Sequence, residues 1–128
     1  MKRALELARR GRGCVSPNPL VGAVLVKNDT IISEGYHRRF GGAHAEVHAL
    51  THISVEDTSN SCLYINLEPC CHQGKTPPCV NLIIEKKVPT VVVGMEDPNP
   101  AVAGRGIRIL RKAGIKVLTD VLRAECEA

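Results

Sequence analysis

The chain has 128 residues, enough for one domain with a real core and too few for two ordinary ones. Its 44% hydrophobic content includes no apolar run of membrane-spanning length. Met1 to Arg12 is basic and amphipathic and lacks the long apolar centre of a signal peptide, so a cytoplasmic protein with no membrane partner is expected. The net charge of +4 suits an anionic small molecule and permits RNA without requiring it, while three aromatic residues and no Trp argue against a stacking platform for single-stranded nucleic acid.

Residues 2–11, rich in Ala, Leu, Arg and Glu, predict a helix ended by Gly11 and Gly13. Cys14 to Pro19 reads as a loop in which prolines flank Asn18. Leu20 to Lys27 is an apolar strand candidate, Asn28-Asp29 a two-residue turn, and Thr30 to Tyr36 the returning strand of a hairpin. Gly41-Gly42 breaks the chain before a helix over residues 44–52. Residues 53–60 read as a polar loop and Ser61 to Leu67 as a third strand.

Thr76-Pro77-Pro78 predicts a helix start, with Thr76 as N-cap and the helix running from about Cys79 to Lys87. Val80, Ile83 and Ile84 fall on one face of it. Val91 to Met95 is a short buried strand, and Asp97-Pro98-Asn99-Pro100 a rigid loop. A helix over 104–113 points Ile107 and Leu110 inward, and Ile115 to Leu118 is the last strand. The alternation of strand and helix after Ser61 predicts parallel strands joined by crossovers, and the opening hairpin makes the sheet mixed.

Chemistry is concentrated in two separated fragments. The first is His44-Ala45-Glu46; the second is Pro69-Cys70, followed by Cys79. They supply three metal ligands and one carboxylate that need not bind metal. Catalytic zinc sites use three protein ligands, an open position for water and a nearby acid/base. Nucleobase deaminases carry H-x-E and P-C-x-x-C; this chain matches H-x-E and P-C but stretches the second cysteine spacing to eight intervening residues.

Each ligand candidate also has a structural reading: His44 as a core histidine, the cysteines as buried thiols, Glu46 as a first-turn glutamate favouring the helix dipole. The combination favours the metal site. Helix N-termini place His44 and Cys79 where partial positive charge favours a thiolate at Cys79. Glu46 is then a general acid/base. His48, one turn after His44, could close the site as a fourth ligand, but it is read as a packed residue. Cys71 is read as a bystander, because adjacent side chains in extended backbone point apart. Glu68 is expected to support the local turn.

The segments PNPLVGAVLV, GYHRRFGGAHAE, LEPCCHQGKTPPC and MEDPNPAVAGRGI resemble the deaminase domain of bifunctional riboflavin biosynthesis enzymes, whose activity is diaminohydroxyphosphoribosylaminopyrimidine deamination. The resemblance runs from about Arg3 to Leu118. H-A-E is shared across zinc deaminases, whereas the stretched cysteine loop is specific to this branch.

The resemblance implies an α/β fold of the cytidine deaminase-like class, three layers α/β/α with a mixed five-stranded sheet. It implies one zinc per chain on His44, Cys70 and Cys79, with Glu46 as proton shuttle. Asn18, His37, Lys75, Asp97 and Asn99 fall where the family contacts substrate. The implied reaction removes the 2-amino group of a ribosylaminopyrimidinone 5′-phosphate as ammonia. Lys75 suits a phosphate as a point charge on a Gly-containing loop, and Asn18 and Asn99 can hydrogen-bond a pyrimidinone edge.

Two departures stand out. Cys71 occupies a position where the family more often has a small residue such as Ser. The family also usually continues into an NADPH-dependent reductase. Residues 1–128 are therefore expected to be one zinc-dependent deaminase domain, a homo-oligomer, with a reductase supplied in cis or in trans. The enzymatic alternative is a deaminase of tRNA adenosine or another nucleobase, which the short P-C-x-x-C spacing would favour. The non-enzymatic alternative is a closed structural zinc module that adds His48 to the ligand set.

Overall fold

In the computed structural model, which describes residues 1–71 and 77–127, a hairpin opens the sheet. Strand β1 (Gly22–Lys27) and strand β2 (Thr30–Tyr36) pair antiparallel. Asn28 and Asp29 turn the chain with φ of 51° and 61°, the left-handed pair that a two-residue hairpin turn requires. The ladder shifts register between Leu25 and Val26.

Strand β3 (Cys62–Ile65) lies antiparallel to β1 on its other side. Strands β4 (Thr90–Val93) and β5 (Lys116–Leu118) follow in parallel. The resulting order is β2-β1-β3-β4-β5, a mixed five-stranded sheet, as expected.

Among the described residues six helices accompany it: α1 (Lys2–Arg9), α2 (Ala45–Leu50), α3 (Val55–Thr58), α4 (Cys79–Glu85), α5 (Arg105–Lys112) and α6 (Arg123–Glu127). One face of the sheet presents Ala23, Leu25, Leu63, Ile65, Val91, Val93 and Val117 to α2, α4 and α5 in a single buried cluster. The opposite face packs Val24 against Ala4 and Leu7 of α1. Burial of these aliphatic side chains, each worth roughly 1.5–3 kcal/mol, holds the three layers together. Val80 and Ile83 of α4 are buried, while Ile84 is only half-buried at the cluster's edge. Among the described residues no helix is long and apolar enough to cross a membrane.

The structure departs from the sequence expectations in four places. The polar stretch 53–60 contains α3, because Ser54 accepts a hydrogen bond from the Asp57 N–H and caps a single turn. His44 is the N-cap of α2, with extended backbone (φ −73°, ψ 165°), rather than a first-turn residue. Pro78 is the N-cap of α4; the expected cap, Thr76, lies outside the described residues. Helix α6 follows the last strand. It is a short segment tied by Arg123 to Asp120 and Glu127, each at 2.8 Å.

Candidate metal centre and substrate cavity

Two helix starts and one strand end converge on the site. Helix α2 approaches β2 closely because residue 35 is glycine: a Cβ there would lie 2.4 Å from the Ala45 carbonyl oxygen and 2.7 Å from the His48 Cβ. That contact sets the start of α2, and with it His44 and Glu46. Helix α5 makes a similar approach. A Cβ on Gly106 would lie 2.4 Å from the Pro69 carbonyl oxygen, directly before Cys70.

The side chains of His44, Cys70 and Cys79 come together. Nδ1 of His44 is 3.3 Å from the Cys79 Sγ and 3.6 Å from the Cys70 Sγ. One ligand atom from each residue lies within 4.8 Å of the others. Ligands held at about 2.0 Å (nitrogen) and 2.3 Å (sulfur) around a tetrahedral zinc are themselves roughly 3.5–3.8 Å apart. One nitrogen and two sulfurs at these separations fit such an ion, with one coordination position left over.

His48 is not in this cluster. It packs on β2 at Gly35, and burial is the first cause lowering its imidazole pKa. Cys71 is also outside the cluster, half-buried against the main core.

The backbone N–H of Cys79, at the first position of α4, donates to the Cys70 Sγ at 3.1 Å. Hydrogen bonding from Cys79, then from His44, holds the Cys70 thiol far below its ordinary value. The Cys79 thiol is pushed up by its bond to Cys70 and by burial. The Cys79 N–H at the start of α4 adds to the hydrogen bonding that favours a thiolate on Cys70. Hydrogen bonding to Cys70 also raises the His44 imidazole.

Glu46 is 3% exposed, and burial raises its carboxyl to about 7. A carboxyl tuned to neutrality can both accept and return a proton, as general acid/base chemistry requires.

A cavity of about 360 Å³ opens over these groups, lined among others by Asn18, His37, Phe40, His44, Glu46 and Asp97. Asn18 Nδ2 lies 3.1 Å from His37 Nε2, and His37 Nδ1 lies 3.1 Å from the Ala43 carbonyl oxygen. His37 is buried and its ring stands edge-on to His44, centroids 5.4 Å apart. The ring thus bridges Asn18 and the Ala43 carbonyl. Asp97 reaches the cavity, and its Oδ1 accepts from the Asn99 N–H. Asn99 itself is exposed outside the cavity lining, with its Oδ1 accepting from Ala101. Lys75 lies outside the described residues.

Residues 1–95 match the cytidine and deoxycytidylate deaminase zinc-binding region. The chain belongs to that deaminase family. It is a hydrolase of the deaminase class. A diaminohydroxyphosphoribosylamino-pyrimidine deaminase from Buchnera aphidicola is 44% identical across 99% of this chain and 86% of its own length. The riboflavin biosynthesis protein RibD of Actinobacillus pleuropneumoniae is 52% identical across the whole chain, but the chain spans only 34% of that relative. The solved RibD of Acinetobacter baumannii superposes with a TM-score of 0.94 at 44% identity, over 98% of this chain and 35% of that one. The deaminase fold and the riboflavin-enzyme resemblance are thereby borne out.

Sequence reading missed two cavity features. Phe40 lines the cavity, yet in the sequence it stood inside the GYHRRFGGAHAE segment with no role attached. Asn66 accepts the Gly22 N–H at 2.8 Å and donates to the Leu20 carbonyl at 3.0 Å. It thus holds the chain beside Val21, which also lines the cavity; a single Asn after a strand gives no signal of such a long-range role.

Proposed function

We propose that residues 1–128 form one zinc-dependent deaminase domain that hydrolyses 2,5-diamino-6-ribosylamino-4(3H)-pyrimidinone 5′-phosphate, releasing ammonia in riboflavin biosynthesis. The observation that carries this reading is a zinc-sized His44, Cys70 and Cys79 cluster beside a buried, near-neutral Glu46 at one cavity. This substrate is supported by the name of the 44%-identical relative, a diaminohydroxyphosphoribosylamino-pyrimidine deaminase, and by the long spacing between Cys70 and Cys79.

His44 Nδ1, Cys70 Sγ and Cys79 Sγ would hold the zinc. When bound, zinc supplies a Lewis acid that makes water acidic enough to attack near pH 7. Glu46 takes a proton from the attacking water and delivers it to the ring nitrogen next to C2. A C–O bond forms at C2 and the C2–N bond breaks. A second proton returned through Glu46 lets the amino group leave as ammonia, and the ring is left with a carbonyl. Asn18 and Asp97 orient the polar edge of the ring from the cavity wall. His37, its ring nitrogens engaged with Asn18 and Ala43, holds Asn18 in place. Lys75 meets the phosphate, and Asn99, outside the cavity lining, orders the loop that carries Asp97 through its N–H to the Asp97 Oδ1. A reductase, in cis or in trans, would consume the product.

Ammonia release and amino-to-oxo exchange are to be measured on this pyrimidine beside cytidine, guanine and tRNA adenosine. Turnover of the phosphorylated pyrimidine alone is expected. Turnover confined to any of the other three would overturn the assignment.

A further inference from the structure

Five large apolar side chains among the described residues are substantially exposed: Ile31, Phe40, Val55, Ile109 and Leu118. Of these, Phe40 alone lines the cavity. It is 51% exposed, whereas Glu46 in the same cavity is 3% exposed. Glu46 therefore lies at the floor and Phe40 at the rim. The rim segment is anchored, because the Phe40 N–H donates to the Cys14 carbonyl at 2.9 Å and the Gly42 N–H to the Arg39 carbonyl at 3.0 Å.

A planar heterocycle entering this cavity presents two different surfaces. Its polar edge can be met by Asn18 and Asp97. Its faces need apolar or π surface, and among the described residues Phe40 is the one carbocyclic aromatic on the lining. Offset or edge-to-face aromatic contacts favour such a pairing, and a ring seated there would take apolar surface of Phe40 out of water.

We propose that Phe40 is a substrate-binding residue whose ring packs against the face of the pyrimidine and selects flat, ring-bearing amines. The proposal rests on the deaminase reading above and adds a binding residue to it. Stacking is made equally in the ground state and the transition state, so its loss appears in KM rather than in kcat.

Steady-state kinetics on the phosphorylated pyrimidine test it with Phe40→Ala, Phe40→Leu and Phe40→Tyr, each checked for zinc content and thermal midpoint. Base–aromatic stacking corresponds to roughly a 5- to 150-fold effect. Phe40→Ala is expected to raise KM about tenfold or more with kcat within about threefold of wild type. Phe40→Tyr should restore KM, and Phe40→Leu should not. The substrate dissociation constant, measured calorimetrically in a Glu46→Gln background with and without Phe40→Ala, should shift by the same factor.

A Phe40→Ala KM within twofold of wild type would overturn the role of Phe40 and leave the deaminase reading intact. A Phe40→Leu protein matching wild type would overturn the stacking contact. A wild-type protein inert on this pyrimidine would overturn the deaminase reading and the proposal together.

Discussion

Glu46 and Cys79 sit within one small cluster but should fail in different ways. Replacing Glu46 by Gln keeps its size and removes its ability to carry a proton. General acid/base groups contribute roughly 10²–10⁴-fold, so Glu46→Gln should lose at least two orders of magnitude in kcat while keeping zinc, measured by metal analysis beside turnover. A variant with near wild-type kcat would remove Glu46 from the proton path. Cys79→Ser exchanges a soft thiolate ligand for a poor one. It should lose most of its zinc on purification, and full occupancy would take Cys79 out of the ligand set.

Contacts between elements carry the site just as firmly. Glu68 follows β3 and is 6% exposed. Its Oε1 accepts the N–H groups of Asp97 and Gly104, and its Oε2 accepts that of Ile107. One carboxylate thus ties the β3 end to the Asp97 loop and to the first turn of α5, a long-range role where the sequence suggested support of its local turn. Glu68→Gln turns one acceptor into a donor facing a backbone N–H. A loss of about 1–3 kcal/mol is expected from the buried group left unpaired, readable as a lower urea midpoint; an unchanged midpoint would show that water replaces the bond.

Arg3 of α1 and Glu34 of β2 form the clearest ion pair between layers, with the Arg3 Nη2 to Glu34 Oε1 distance at 3.1 Å. The Arg3 hydrogen bond lowers the Glu34 carboxyl. A lowered carboxyl contributes stability above its unfolded pKa and loses it as pH falls through the folded one. Both side chains are about a third exposed, so solvent screening keeps the pair's contribution small. Glu34→Gln should therefore be slightly less stable than wild type at pH 7. The gap should close as the pH falls below the ordinary carboxylate range. Equal stability at both ends of a pH series of denaturant titrations would mean the pair contributes nothing.

At the scale of the whole molecule the question is which substrates can enter. The chain carries a mild net charge of +4, which suits an anionic metabolite, and no Trp to build a stacking platform for a polynucleotide strand. Removing the substrate's 5′-phosphate should lower kcat/KM by roughly one to two orders of magnitude, the scale of a charge-assisted hydrogen bond at about 1.5–3 kcal/mol. Lys75→Ala should cause a similar loss, and the two losses should not add if they report one contact. Equal kcat/KM on phosphorylated and dephosphorylated substrate would make Lys75 a surface lysine. Efficient deamination of a tRNA anticodon loop would move the chain toward polynucleotide substrates.

By itself the sequence determined the donor types, their order and most of the elements. His-x-Glu, Pro-Cys and a distant Cys are legible because metal chemistry restricts which side chains can serve. The hairpin and the strand–helix alternation are legible because burial imposes periods of two and 3.6. Several things needed the tertiary structure. Only packing placed His48 on Gly35 and out of the donor cluster, and only packing put Asn99 outside the cavity that Asp97 reaches. Only the fold brought the Cys79 N–H onto the Cys70 sulfur. The titration of Glu46 near neutrality follows from its burial between helices and sheet. These are differences of environment between chemically identical groups. Environment is set by residues distant in sequence, which no local pattern encodes.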